Sequence, residues 1–116
     1  MSAPPQYRQV QLQQLIEALE AFIPLVIKNG PQLDSVLPDF DYCLRFAKHL
    51  QQHGFTQSDL DELSRNVMND IFYRHSKGCW DFSHAVESKE FHHWKKAVQT
   101  CADDIRLREA KHSGLN

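Results

Sequence analysis

Histidine is the first residue type in this chain that points to chemistry, because seven of the 116 residues are histidine. His75, Cys79 and His84 lie close together in the sequence, and His92 follows soon after. Zinc motifs pair imidazole and thiolate ligands two to five residues apart. This set fits no compact motif of that kind, although a helix carrying His92 would be able to complete it in space. We therefore expect no bound metal or cofactor. The alternative hypothesis is a metal- or redox-responsive protein that uses these four residues.

Catalysis by a nucleophile needs a thiol or hydroxyl group within reach of a base and an orienting group. Cys79 has His75 and His84 near it in sequence, but its flanking residues match no cysteine-protease signature or nucleophile elbow. The chain also has no HExxH motif and no glycine-rich phosphate loop, and its four glycines leave little material for one. We therefore predict that the protein is not an enzyme.

Acidic and aromatic residues form a second set, which suits protein recognition. Tyrosine and tryptophan dominate many interface hot spots, and an acidic surface speeds association with a basic partner. The set lies on a predicted third helix and in the loop after it: Asp59, Glu62, Asn66, Asn69, Asp70, Tyr73, Trp80, Asp81 and Phe82. The alternative is that Trp80 and Phe82 pack over the end of the fold and that the acids are a solvated face. We predict that this set binds a protein partner.

The charge balance argues against nucleic acid. The net charge is −2 and the pI about 6.4, so the chain has no bulk attraction to phosphate backbones or anionic lipids. Residues 47–63 have the outline of a helix-turn-helix. However, its second helix opens with Asp59, Asp61 and Glu62, which would repel phosphates. An ordinary helical hairpin is the better interpretation.

The cysteines and the N-terminus favour a soluble protein of a reducing compartment. Cys43, Cys79 and Cys101 are odd in number and form no CxxC pair, so we expect no disulfide framework. The N-terminus shows no secretory signal. The most apolar stretch, residues 21–27, has seven residues and contains Pro24, whereas a membrane span needs about 20. We expect a cytoplasmic protein with no membrane partner.

Apolar residues recur at helical spacing along most of the chain. The first helix is expected from about Tyr7, with a kink or break at Pro24 and an end at Asn29-Gly30-Pro31. The second is expected from about residue 33 or 38 to Gln52, with Gly54 closing it. Its buried stripe comprises Phe40, Cys43, Leu44, Ala47 and Leu50.

The third helix has the clearest start, because Thr56-Gln57-Ser58-Asp59 resembles a capping box. It should end before Gly78, and residues 79–88 should form a loop with one short helical turn. The last helix should run from the N-cap Ser88 to about Ala110. The seams of these two helices are Leu60, Leu63, Val67 and Ile71, then Phe91, Trp94, Val98, Cys101 and Ile105. The prediction is one all-α domain over residues 1–116, a small antiparallel four-helix bundle with frayed ends at 1–6 and 111–116.

One family shares this pattern of helices. The amphipathic second helix (36–50), Leu60-x2-Leu63, Val67-x3-Ile71 and a last helix after an acidic loop carry the likeness, over residues 33–107. In these features the chain resembles small all-helical immunity proteins that protect bacteria from type VI secretion toxins, in particular NAD(P)+-degrading effectors. The resemblance implies a stoichiometric inhibitor that occludes its cognate toxin in the cytoplasm, and it transfers no individual residue role. A structural module that self-associates is a further alternative, and the oligomeric state is open.

Overall fold

The computed structural model describes residues 6–29, 37–73 and 86–106. Helix α1 covers Gln6–Lys28, α2 Leu37–His53, α3 Gln57–Arg65 and α4 Lys89–Asp104. Helix α3 continues directly into a π-helix over Asn66–Tyr73, called here the π segment. No strand occurs in this part of the chain, and the predicted all-α four-helix bundle is confirmed.

Contacts between the helices show that α1 runs antiparallel to both α2 and α4. Along α1 and α2, Gln13 bonds with Gln51 and Glu20 pairs with Lys48 at 2.8 Å, so the two chains run in opposite directions. Helices α1 and α4 are also antiparallel, because the start of α1 meets the end of α4 through Arg8 and Asp104.

The core runs through all four helices and is aromatic at one end. The most deeply buried large side chains include Leu15, Leu19, Leu60, Leu63 and Ile71. At the end where α1 and the π segment finish, the Phe22 ring lies edge-on to the Phe40 ring, with their centroids 5.5 Å apart. The centroid of the Phe22 ring is also 5.1 Å from that of Phe91. Phe40 also contacts Phe72 at 5.7 Å. These rings join α1, α2, α4 and the π segment in one cluster.

Helix α1 does not break at Pro24, because the helix continues to Lys28. Pro24 is exposed, so water can reach the carbonyl of Glu20 that loses its usual donor. Phe22 and Val26, on either side of the proline, are fully buried and hold the chain on its helical path. Of the expected kink or break, the break was wrong, because packing outweighs the loss of one solvent-exposed hydrogen bond, and the kink stays a prediction. Gln6, expected in the frayed lead-in, already belongs to this helix.

Helices α2 and α3 meet at a turn that the sequence predicted well. Gly54 has φ +94°, a left-handed conformation that favours glycine, and its N–H donates to the carbonyl of Leu50 at 2.9 Å. Helix α3 begins with the complete capping box. The Thr56 hydroxyl accepts from the Asp59 N–H at 3.2 Å, and the Asp59 carboxylate accepts from the Thr56 N–H at 2.9 Å.

Helix α4 begins after the N-cap Ser88, as predicted, and the Ser88 hydroxyl accepts from the Phe91 N–H at 3.1 Å. It ends at Asp104, earlier than the expected Ala110, and Arg8 binds the carbonyls of Asp104 and Ile105 at this end. The expected loop with a short helical turn at 79–88 lies outside the described residues up to position 85, and residues 86–88 are not helical. The expected frayed ends at 1–5 and 111–116 also lie outside them.

Residues Tyr7–Lys28 of α1 form the one described helix that is long and apolar enough to cross a membrane, with a mean hydropathy of 1.4. This is weak evidence for a span, because the core helix of a bundle passes the same test. Leu15, Leu19 and Phe22 of this helix are fully buried in the core, which is the position of a core helix.

Candidate partner-binding site

The predicted acidic surface lies on α3 and the π segment. Glu62 and Asn69 are exposed, whereas Asp59 and Asn66 are half-buried. Asp59, Glu62 and Asn66 are spaced by three and four residues, so they share one face of α3. Asp70 and Tyr73 belong to the π segment, but their side chains are outside what the structure describes, as are Trp80, Asp81 and Phe82.

Two of the acidic residues on α3 also have a structural role. The Asp59 carboxylate completes the capping box, which places a negative charge at the positive end of the helix dipole. The Asp61 carboxylate accepts a hydrogen bond from the Gln57 amide at 2.9 Å. These bonds fix the first turn of α3, so the acidic face is presented on an ordered helix.

The π segment changes the direction in which the later residues of this surface point. Its hydrogen bonds run from residue i to i+5, so it has more residues per turn than an α-helix. Residues after Asn66 are therefore rotated relative to a straight α-helical extension of α3. Val67, Ile71 and Phe72 stay buried, because the wider turn lets neighbours such as Ile71 and Phe72 both face the core. The spacing of four residues from Leu63 to Val67 and from Val67 to Ile71 is compatible with both kinds of helix, so it did not predict the π segment.

Arg8 anchors the end of the bundle where α3 begins, and no local sequence pattern predicts this role. The side chain is only 3% exposed, and its guanidinium donates to five oxygens. The acceptors are Gln11 Oε1 (2.6 Å), Gln57 Oε1 (2.6 Å from Nη2) and the carbonyls of Asp104 (3.0 Å), Ile105 (2.8 Å) and Arg106 (3.1 Å). The Gln57 amide donates in turn to the carbonyl of Ile105 at 2.9 Å. Arg8 thus caps α4 and joins it to the starts of α1 and α3, where a cation is favourable near the negative end of the α4 dipole.

A groove of about 510 Å³ lies between α1 and α4. No local sequence pattern predicts it, because its two helices are far apart in the sequence. Ala18, Trp94 and Ala97 contribute apolar surface. Glu17 and Asp104 contribute negative charge and Lys96 contributes positive charge, so the acidic residues exceed the basic one by a single charge.

Cys101 also lines this groove, and its environment argues against a role as a nucleophile. Burial, followed by the negative charges of Asp104 and Glu17, raises the pKa of the Cys101 thiol. The thiol is therefore protonated at neutral pH, and the thiolate is the reactive form. This half-buried residue behaves as a small hydrophobic side chain beside the core.

The alternative metal set is represented in the described chain by His92 alone. The ring Nε2 of His92 lies 2.6 Å from the carbonyl of Val86, and such a bond orients the imidazole and leaves Nδ1 for another partner. His75, Cys79 and His84 lie outside the described residues, so this hypothesis stays a prediction. Within 6–29, 37–73 and 86–106, no three His, Cys, Asp or Glu side chains converge as metal ligands would.

The chain was also compared with known proteins. No family model, no curated protein and no solved structure matches it.

Proposed function

We propose that this protein is a non-catalytic binding domain that binds a basic protein partner through α3 and the π segment. The observation that carries the proposal is an uneven distribution of charge. Residues 57–73 contain four acidic residues and one basic residue, Arg65, an excess of three negative charges. In each of α1, α2 and α4 the acidic and basic residues balance. One helical segment therefore carries the acidic character of the described fold.

The structural setting of this segment favours binding. The capping box and the bonds of Gln57 hold the first turn of α3 in place, and Leu60, Leu63 and Val67 fix its other face in the core. A surface that is ordered before binding loses less conformational entropy when a partner docks. Glu62 and Asn69 project into solvent from this fixed helix.

An acidic surface of this kind acts mainly on the rate of association. Charge complementarity steers a basic partner toward the site and raises the association rate, and added salt screens the effect. The aromatic residues assigned to the same surface, Tyr73, Trp80 and Phe82, supply apolar contact area in this proposal.

The more specific form of the proposal is an immunity protein of the bacterial cytoplasm. It rests on the resemblance in helix pattern to the immunity proteins of type VI secretion toxins. In this form the partner is a cognate toxin, and the domain inhibits it stoichiometrically by covering its active site. No nucleic acid and no membrane takes part.

The test is quantitative capture from the native host with three tagged proteins. The wild type is compared with Glu62→Lys/Asn69→Lys, which reverses the charge at position 62 and adds a second positive charge at position 69 of the acidic surface. The matched control is Asp41→Lys, which reverses charge on α2, where Asp41 makes an exposed ion pair with Arg45. All three are first shown to have the same helix content by circular dichroism.

We expect the wild type and Asp41→Lys to retain one partner in stoichiometric amount, and Glu62→Lys/Asn69→Lys to lose most of it. Equal capture by all three proteins would overturn the assignment of the surface. For the immunity form, the captured protein should be toxic when expressed alone and harmless when co-expressed with the wild type. A captured partner that is not toxic would support the general proposal of a binding domain and would overturn the specific proposal of an immunity protein.

A further inference from the structure

A pair of histidines lies on the exposed flank of α2. His49 and His53 are one helical turn apart, and their ring centroids are separated by 4.5 Å with planes inclined at 38°. Both residues are exposed. Ala47 and Leu50 of the same helix are buried, so the backbone that carries the two rings is held against the core.

Two imidazoles at positions i and i+4 of a helix form a recurrent chelating arrangement. The spacing places both side chains on one face of the helix, and this is why zinc sites on helices use histidines four residues apart. Imidazole suits Zn²⁺, Ni²⁺ and Cu²⁺, whereas Mg²⁺ and Ca²⁺ prefer oxygen ligands. The chemistry of the pair therefore selects a transition-metal ion.

Other histidines in the described chain are engaged differently. The His92 ring bonds to the carbonyl of Val86, and the His93 ring lies edge-on to the Trp94 ring with centroids 4.9 Å apart. His49 and His53 present two imidazoles side by side to solvent. This distinguishes them from His92 and His93.

We propose that His49 and His53 together bind one divalent transition-metal ion of the Zn²⁺, Ni²⁺ and Cu²⁺ class, with water in the remaining coordination positions. The second imidazole is already in place when the first one binds, and this raises its effective concentration. The site uses none of the residues His75, Cys79, His84 and His92. It is also independent of the proposed function, because it lies on α2.

The test uses Ni²⁺ as the probe, with isothermal titration calorimetry on full-length protein that has been treated with EDTA. His53→Gln removes one ligand. His53→Gln/Gln51→His restores the number of histidines but places the second ring two residues from His49, on the far side of the helix. His53→Gln/Arg45→His recreates the spacing of four residues, since position 45 lies one turn before His49.

We expect His53→Gln to weaken this Ni²⁺ site about 100-fold, the order of magnitude of a lost second attachment point. The variant with Gln51→His should stay weak, and the variant with Arg45→His should recover most of the affinity. The positions are exposed, so all variants should keep the helix content of the wild type. Unchanged affinity in His53→Gln, or full recovery with Gln51→His, would overturn the proposal.

Discussion

The replacement Arg8→Met tests how the bundle is held at the end where α3 begins. Methionine keeps much of the length of the side chain but removes the guanidinium. The guanidinium of Arg8 is buried and directs all five of its N–H groups at oxygens from α1, α3 and the end of α4. The replacement therefore changes hydrogen bonding far more than it changes packing.

The size of the effect follows from the acceptors that lose their donor. The carbonyl of Ile105 keeps the Gln57 amide as a partner, so four acceptors are left without the guanidinium. The hydrogen bonds of these four acceptors are only partly buried, so water can hydrate the acceptors in part. We therefore assign each acceptor a cost of about 1 kcal/mol, the lower end of the range for an unsatisfied polar group. The expected loss in the free energy of unfolding is about 3 to 4 kcal/mol, a large share of the roughly 5–15 kcal/mol that a small domain has.

The measurement is urea unfolding followed by circular dichroism at 222 nm. The control is Arg45→Met, which breaks an exposed ion pair with Asp41 and should lower the free energy of unfolding by less than about 0.5 kcal/mol. Arg8→Lys should fall between the two, because an ammonium has three donors and cannot reach all five acceptors. A loss below about 1 kcal/mol in Arg8→Met would refute the reasoning, because water would then satisfy these oxygens as well as arginine does.

Three further predictions concern the core and the groove. Ser64→Ala should raise the free energy of unfolding by about 1 kcal/mol, because the fully buried Ser64 hydroxyl has no hydrogen-bond partner within the described chain. In contrast, Ser88→Ala removes an N-cap and should lower the free energy of unfolding by about 1 kcal/mol in the same urea assay. Equal signs for the two serines would contradict this account. Phe22→Ala should cost about 4 kcal/mol in thermal unfolding, since the ring joins the aromatic cluster, and a loss under about 2 would show that the cluster repacks. Cys101 should react with iodoacetamide at pH 8 more slowly than free cysteine, and Glu17→Gln should speed the reaction by lowering the thiol pKa. Mass spectrometry of the modified peptide measures both rates. An unchanged rate in the variant would contradict the electrostatic effect of Glu17.

Local signals in the sequence predicted most of the fold. The capping box at Thr56, the N-cap at Ser88 and the left-handed Gly54 each depend on residues within one turn, and all three are present. The seam residues Leu60 and Val98 are fully buried, as the helical spacing predicts. Short-range patterns of this kind carry their own physical cause, so one sequence is enough to identify them.

Features that depend on distant residues were beyond the sequence. Arg8 bonds to Gln57 and to the carbonyl of Ile105, which are 49 and 97 residues away, and no local pattern marks such a contact. The groove between α1 and α4 has the same origin. The π segment differs from an α-helix in its hydrogen bonds, and the spacing of four residues between Val67 and Ile71 is compatible with either kind of helix.

The candidate surface was predicted in part. Its acidic residues on α3 were evident from their types and helical spacing; Glu62 is exposed on α3 and Asn69 on the π segment. The capping-box bond of Asp59 was predicted, whereas the bond that the Asp61 carboxylate accepts from the Gln57 amide was not. Trp80, Asp81 and Phe82 stay a prediction.

The most direct test of the central claim is the salt dependence of association between this domain and its captured partner. Stopped-flow association rates are measured at about 20 mM and about 500 mM salt for the wild type and for Glu62→Lys/Asn69→Lys. If the acidic surface of α3 steers a basic partner, the wild-type rate should fall at least about tenfold with salt, and the variant should be slow at both concentrations. Rates that are equal for the two proteins and independent of salt would contradict binding through this surface.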